Sequence, residues 1–123
     1  MNRFTVELMG ERIHLASDPQ VFSPQSLDKG SQAMLSLVDF SVEEKVLDLG
    51  CGTGVIGILA AKKLGTAHVW MLDVDPIAVA VSRESLRLNE LEAVVLRQSD
   101  AFANFDEKDF SLILSNPPYH VDF

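Results

Sequence analysis

The residues best suited to chemistry are Asn116, Pro117, Pro118 and Tyr119, which directly follow the apolar run at residues 110–115. The Asn116 side-chain oxygen and the Pro117 carbonyl can accept both hydrogens of an exocyclic amine, and the Tyr119 ring offers a stacking face for the planar group that carries it. Holding the nitrogen in a pyramidal geometry frees its lone pair, so no strong general base is needed. The motif predicts a site that positions an exocyclic amine for group transfer.

A second motif, residues 46–57 (VLDLGCGTGVIG), indicates a strand, a glycine loop and the start of a helix. Gly50, Gly52 and Gly54 let the backbone turn tightly and approach a ligand closely, and the helix start offers unpaired N–H groups. Asp73 lies 19 residues beyond Gly54, a suitable distance for a carboxylate that accepts both hydroxyls of a ribose. Ligands of open parallel sheets bind beyond the carboxyl ends of the strands, so this motif predicts a nucleoside site there.

Several neighbouring residues join the predicted cofactor site. Asp100 follows the third predicted strand and could accept a hydrogen bond from an adenine amino group, or be a solvated loop acid. Cys51 is interpreted as a small loop residue, because a nucleophile would need a basic partner to lower its pKa. Gly57 and Asp75 are interpreted as a packing glycine and a helix cap. The predicted cofactor-binding residues are Asp48, Gly50, Cys51, Gly52, Gly54, Asp73, Val74, Asp100, Ala101 and Asn116.

Two cofactor classes fit the glycine loop. Residues 52–57 also satisfy the dinucleotide pattern G-x-G-x-x-G with an acid about 20 residues further on. That pattern normally starts at the strand end, whereas Asp48 and Gly50 precede it here, and Asn116 to Tyr119 have no role in nicotinamide chemistry. The arrangement resembles S-adenosylmethionine-dependent amino-methyltransferases, in which the acid helps hold the methionine ammonium group of the cofactor.

The hydrophobic pattern predicts the elements that position these residues. Residues 4–8 and 12–15 alternate around a glycine turn and predict a β-hairpin; a loop at 18–30 and a helix that includes residues 34–38 follow. From residue 45 onward, strands alternate with helices, which predicts right-handed crossovers and a mostly parallel sheet. The predicted strands are 45–49, 68–72, 93–97 and 110–115, and the predicted helices are 54–64 and 76 to about 89.

Local signals define the ends of the two crossover helices. Gly65 closes the first helix, whose last turn carries two lysines that complement the helix dipole. Asp75 followed by Pro76 is a strong start signal for the second helix. Its apolar positions predict a sheet-facing side that contains Ile77, Val81 and Leu88.

Composition limits the class of protein. The 123 residues, 47% of them hydrophobic, suffice for one domain with a core. A net charge of −8 is a poor electrostatic footprint for RNA, so RNA affinity would have to come from local basic residues, another segment or a partner. The single cysteine, the absence of a secretory or membrane-spanning pattern and the absence of metal-ligand spacing predict a cytoplasmic protein without a metal. His14 and His68 fall in predicted strands and are interpreted as structural.

Residues 10–120 together resemble the small-domain methyltransferase family that includes bacterial 16S and 23S ribosomal RNA guanine-N2 methyltransferases. The discriminating segment is residues 22–31 (FSPQSLDKGS), which differs from what tRNA adenine-N6 or release-factor glutamine methyltransferases are expected to carry. The resemblance implies that this segment covers the cofactor, with Phe22 and Gly30 lining the pocket or packing the loop. The matching stretches are 21–24, 27–35, 46–57, 72–73, 99–100 and 115–120.

The resemblance also implies a fold. The family has a Rossmann-like class I α/β fold with a doubly wound, mostly parallel sheet in the order 3-2-1-4-5-7-6. We expect this chain to hold the N-terminal half, order 3-2-1-4, in one domain made of a hairpin (1–17), a loop and helix (18–44) and a cofactor-binding core (45–123). The chain is expected to be truncated relative to the family, since it stops at Phe123 just after the Asn116–Tyr119 motif; this leaves the fourth predicted strand as an edge that invites a homodimer.

The implied activity is S-adenosylmethionine-dependent methylation of an exocyclic amine, with guanine N2 of ribosomal RNA as the expected acceptor. Two alternatives stay open at the level of sequence. One keeps the chemistry and changes the acceptor to tRNA adenine or protein glutamine. The other is a non-catalytic cofactor-binding module.

Overall fold

The computed structural model describes residues 1–18, 37–40, 45–100 and 107–115. A short 3-10 turn at Thr66–His68 directly precedes the strand that begins at Val69. The remaining elements, in chain order, are β1 (Asn2–Leu8), β2 (Glu11–Ser17), β3 (Val46–Leu49), α1 (Val55–Leu64), β4 (Val69–Asp73), α2 (Pro76–Leu88), β5 (Val95–Gln98) and β6 (Leu112–Ser115). None of the helices in these ranges has the length and apolar character needed to cross a membrane.

The N-terminal residues form the predicted hairpin. Strands β1 and β2 pair antiparallel, with Asn2 opposite Ser17 at the open end and Leu8 opposite Glu11 at the turn. The turn uses Met9 and Gly10, both with positive φ. The inward side chains of β2, Ile13 among them, are fully buried, so the hairpin covers part of the core.

Strands β3 to β6 form one parallel sheet in the order β5-β4-β3-β6, which confirms the predicted order 3-2-1-4. Val46 of β3 pairs with Val69 of β4 on one side and with Leu112 of β6 on the other. All four strands run in the same direction, so the loops that follow them emerge at one edge. This edge is where the candidate site lies.

Helix α1 begins after the glycine loop and ends at Gly65, as predicted. It lies close against β4 because Gly57 has no side chain: a Cβ there would sit 2.6 Å from both Cγ and Sδ of Met71. Gly57 is therefore a packing glycine, as predicted.

Helix α2 starts as predicted but buries a different face. Asp75 Oδ1 accepts the Ile77 N–H at 2.8 Å, and Pro76 occupies the first turn. Of the three residues predicted to face the sheet, Val81 is fully buried, whereas Ile77 and Leu88 are only half-buried. The helix packs against both the sheet and β2. Its buried residues are Ala78, Val79, Val81, Ser82, Ser85 and Leu86.

Side chains of α2 and of its C-terminal cap residue hydrogen-bond to backbone groups of β2. Asn89 Oδ1 accepts the His14 N–H at 3.0 Å, and Asn89 Nδ2 donates to the His14 carbonyl at 2.6 Å. Ser85 Oγ accepts the Ala16 N–H at 2.9 Å. The His14 ring lies 3.0 Å from Thr5 Oγ1, which agrees with the structural interpretation of this histidine.

Several predicted boundaries shift by one or two residues. His68 lies in the 3-10 turn rather than in a strand. Strand β6 begins at Leu112, while Phe110 packs edge-on against Trp70 with ring centroids 5.6 Å apart, and Lys45 Nζ lies within 5.1 Å of both rings. The helix predicted over residues 34–38 lies mostly outside the described residues. Leu37 and Val38 are described and are not helical, and Leu37 is 87% exposed, so the prediction is wrong for the end of this segment. The subdivision at 17 and 44 stays a prediction.

Candidate functional site

The glycine loop after β3 is held by the backbone of β4. Gly50 and Cys51 N–H groups both donate to the Leu72 carbonyl, at 2.8 and 3.0 Å. Gly50, Gly52 and Gly54 have φ values of 76°, 54° and 88°, a region that favours glycine. A Cβ on Gly50 would meet no atom within 4 Å, so the loop is open at that point to an approaching ligand.

Asp73, at the carboxyl end of β4, reaches back to the glycine loop. Its Oδ2 accepts the Gly52 N–H at 3.1 Å and its Oδ1 accepts the Asp75 N–H at 2.9 Å. A carboxylate has about four acceptor positions, so both oxygens retain capacity for ligand hydroxyls. The geometry fits a carboxylate that orders the loop and binds a ribose at the same time.

The end of β5 lies beside Asp73. The Ser99 N–H donates to the Asp73 carbonyl at 2.9 Å, which brings the exposed Asp100 to the same edge, two residues beyond the strand. Val74, which follows Asp73, is 60% exposed and gives this edge an apolar surface. The predicted cluster of strand-end residues therefore exists in the fold.

Asp48 is the most unusual group at this edge. It is 1% exposed; Oδ2 accepts the Gly57 N–H at 3.0 Å, while Oδ1 has no hydrogen-bond partner among the described residues. Burial raises the pKa of Asp48 to about 7, the Gly57 hydrogen bond opposes this rise, and repulsion from Asp73 adds to it. A buried carboxylate with one unused oxygen is suited to a cation such as an ammonium group, so the residues present fit the predicted cofactor.

Cys51 is buried, and the charges of Asp48 and Asp73 both act on its thiol. Burial, followed by the charge of Asp48, raises the pKa of the Cys51 thiol, so the thiol stays protonated and a poor nucleophile. A buried, protonated thiol agrees with the interpretation of Cys51 as a small loop residue, and its place beside the cofactor stays a prediction.

Sequence reasoning missed Ser82. It lies on α2, is 0% exposed, and its hydroxyl donates to the Gly52 carbonyl at 2.7 Å. The available signal was a serine in register with the apolar positions of α2, where a buried hydroxyl must find a partner.

The amine-binding motif lies outside the described residues, and its role stays a prediction. The last described residue before it, Ser115, pairs with Leu49 at the carboxyl end of β3. Strand β6 therefore ends at the same edge of the sheet as the glycine loop. Ala101, Phe22 and Gly30 also lie outside the described residues. Within the described ranges, no group of three or more His, Cys, Asp or Glu side chains could hold a metal ion.

Fold and site together define an α/β protein with a Rossmann-like methyltransferase fold. The profile of the methyltransferase small domain matches residues 12–123. The chain belongs to this family.

Individual relatives agree with the family. The chain is 42% identical over 110 residues to "Ribosomal RNA small subunit methyltransferase C" of Haemophilus influenzae (strain PittEE), covering 89% of the chain and 33% of the relative. It is 44% identical over 108 residues to the protein of the same name from Pasteurella multocida (strain Pm70), covering 88% and 32%. The chain thus spans about a third of the length of these curated relatives.

A solved structure matches nearly the whole chain. It is the 16S rRNA N2 G1207 methyltransferase (RsmC) of T. thermophilus in complex with AdoMet and guanosine. The match has a TM-score of 0.82 at 26% identity and covers 98% of this chain and 33% of that one. The strand order and hairpin described above are therefore those of a known methyltransferase fold.

Proposed function

We propose that this chain is the cofactor-binding part of an S-adenosylmethionine-dependent N-methyltransferase that acts on the 2-amino group of a guanine in ribosomal RNA. The observation that carries the proposal is the convergence of the glycine loop, Asp48 and Asp73 at one sheet edge. The matched T. thermophilus enzyme, whose structure contains AdoMet and guanosine, supports this cofactor and acceptor.

Each of the described site residues binds a different part of the cofactor. Asp73 accepts the ribose hydroxyls while it holds the Gly52 N–H, and Asp48 pairs with the methionine ammonium group through its unused oxygen. Val74 contacts the adenine, and Asp100 accepts from the adenine amino group. When bound, the cofactor supplies an activated methyl group on a sulfonium.

The acceptor side rests on the motif that follows β6. Asn116 and the Pro117 carbonyl accept the two amine hydrogens, and Tyr119 stacks on the base. These contacts fix the nitrogen and free its lone pair, so the rate gain comes from positioning. Because the net charge is −8, RNA affinity comes from local basic residues, another segment of the protein or a partner.

Cofactor binding is tested by isothermal titration calorimetry of the protein with S-adenosylmethionine and with S-adenosylhomocysteine. Saturable heat with one site per chain is expected. No heat at millimolar cofactor contradicts the proposal.

The acceptor is tested by methyl transfer to unmodified ribosomal RNA, tRNA and release factor. Ribosomal RNA is expected to be methylated, with 2-methylguanine as the product after digestion. Methylation of tRNA adenine or of a protein glutamine identifies the alternative acceptors instead. Cofactor binding without transfer to any acceptor identifies a non-catalytic module.

Two further proposals concern the setting of the protein. A ribosomal RNA acceptor places the reaction in the cytoplasm. Strand β6 pairs only with β3 among the described strands, and its Ile113 is 48% exposed, which supports a homodimer through this edge. Sedimentation analysis is expected to show a dimer that Ile113→Lys dissociates; a wild-type monomer at high concentration contradicts the dimer.

A further inference from the structure

The loop that forms the cofactor site is built from residues that hold no shape by themselves. Gly50, Gly52 and Gly54 all have positive φ, and glycine visits both halves of φ space at almost no cost. The freedom that lets the backbone approach a ligand also allows competing loop conformations. A fixed loop therefore needs contacts from outside it.

Most N–H groups of the loop backbone are fixed by β4 and by the loop itself. The Gly50 and Cys51 N–H groups bond to Leu72, the Gly52 N–H bonds to Asp73, and the Gly54 N–H bonds to the Cys51 carbonyl. None of these hydrogen bonds sets the orientation of the peptide between Gly52 and Thr53. In the described part of the chain, the Thr53 N–H has no acceptor.

Ser82 sets that peptide. Its hydroxyl donates to the Gly52 carbonyl at 2.7 Å and lies 3.2 Å from Cys51 Sγ. A Cβ on Gly54 would lie 3.2 Å from the same hydroxyl, so Ser82 also packs directly beneath the loop. Because C=O and N–H point in opposite directions across a trans peptide, this bond turns the Thr53 N–H away from α2.

We infer that Ser82 is a positioning residue for the cofactor loop: its buried hydroxyl, contributed by α2, locks the Gly52–Thr53 peptide in the orientation that binds S-adenosylmethionine. Without it, the buried Gly52 carbonyl loses its partner and the peptide can rotate to find another one. The apparent affinity for the cofactor then equals the intrinsic affinity multiplied by the fraction of molecules that keep the binding orientation. The inference rests on the proposed function, because only a cofactor site gives the loop orientation a consequence for binding.

The chain provides a matched control. Ser85 lies on the same helix, is also 0% exposed, and accepts one hydrogen bond, from the Ala16 N–H at 2.9 Å. Ser82→Ala and Ser85→Ala therefore remove the same atoms from equally buried positions. Only the first removes a contact with the glycine loop.

The experiment is calorimetric titration of wild type, S82A and S85A with S-adenosylhomocysteine, below the melting temperature of every variant. S82A is expected to bind about 10-fold more weakly than wild type, as for a lost buried hydrogen bond, whereas S85A binds as wild type does. Amide exchange at Gly54 is expected to accelerate in S82A and not in S85A. Ser82→Cys, whose thiol is a weaker donor, is expected to lie between wild type and S82A.

The outcomes separate the two proposals. If wild type does not bind, the proposed function fails. If wild type binds and S82A binds equally well, or S85A is weakened as much as S82A, the positioning role of Ser82 is overturned while the cofactor site stands.

Discussion

The buried carboxylate of Asp48 leads to a prediction about stability and binding together. Its pKa is raised from 3.8 to about 7, chiefly by burial. Between these two pH values the folded state binds more protons than the unfolded state, so the free energy of unfolding falls as pH rises through this window. Ionisation of Asp48 lowers the free energy of unfolding by about 4 kcal/mol. This loss is absent below about pH 4 and complete above about pH 7.

Asp48→Asn keeps the shape and removes the charge. Urea unfolding of both proteins at about pH 5 and about pH 8 is expected to show that the stability advantage of D48N grows by about 3 kcal/mol between them. Asp109→Asn, which makes the same charge change at an exposed position, is the control and should show no comparable growth. If the difference in free energy of unfolding between D48N and wild type did not change with pH, the cost assigned to burying the charge would be refuted.

The same variant is expected to bind cofactor worse while it folds better. Pairing with the methionine ammonium favours ionised Asp48, so wild-type affinity should increase from about pH 5 to about pH 7 as fewer protons have to be displaced. D48N should lose this dependence and bind about 10- to 100-fold more weakly at about pH 8, since it lacks a charged hydrogen bond. Equal affinity of D48N and wild type for the cofactor at that pH would contradict the role given to Asp48.

Three further predictions concern packing, the hairpin and the acceptor site. Gly57→Ala places a Cβ 2.6 Å from Met71 atoms and should cost about 1–3 kcal/mol in urea unfolding, whereas the same change in a Met71→Ala background should cost much less; additive costs would contradict the clash. Asn89→Ala removes both bonds to the His14 backbone and should lower the free energy of unfolding by about 2–3 kcal/mol, with amide exchange accelerated in β2; unchanged exchange there would argue against it. Asn116→Ala should slow methyl transfer at saturating cofactor by about 100-fold, as for other positioning contacts; an unaltered rate would remove Asn116 from the site.

Local chemistry was enough to predict most of the fold. The glycine loop, the Asp75–Pro76 helix start and the Gly65 stop depend on backbone conformations that only a few residue types favour. Strands that alternate with helices are connected by right-handed crossovers, which produce a parallel sheet. The strand order itself came from the family resemblance. The strand ends were less well determined because they depend on contacts such as the one between Phe110 and Trp70.

The sequence by itself determined which residues gather at the sheet edge, since parallel strands bring their carboxyl ends together whatever else packs around them. Only the tertiary structure decided the state of those residues. The burial that raises the pKa of Asp48 comes from surrounding elements, and the bond from Ser82 to Gly52 joins residues 30 positions apart. Desolvation and long-range hydrogen bonds are properties of an assembled interior, so no spacing along the chain encodes them directly.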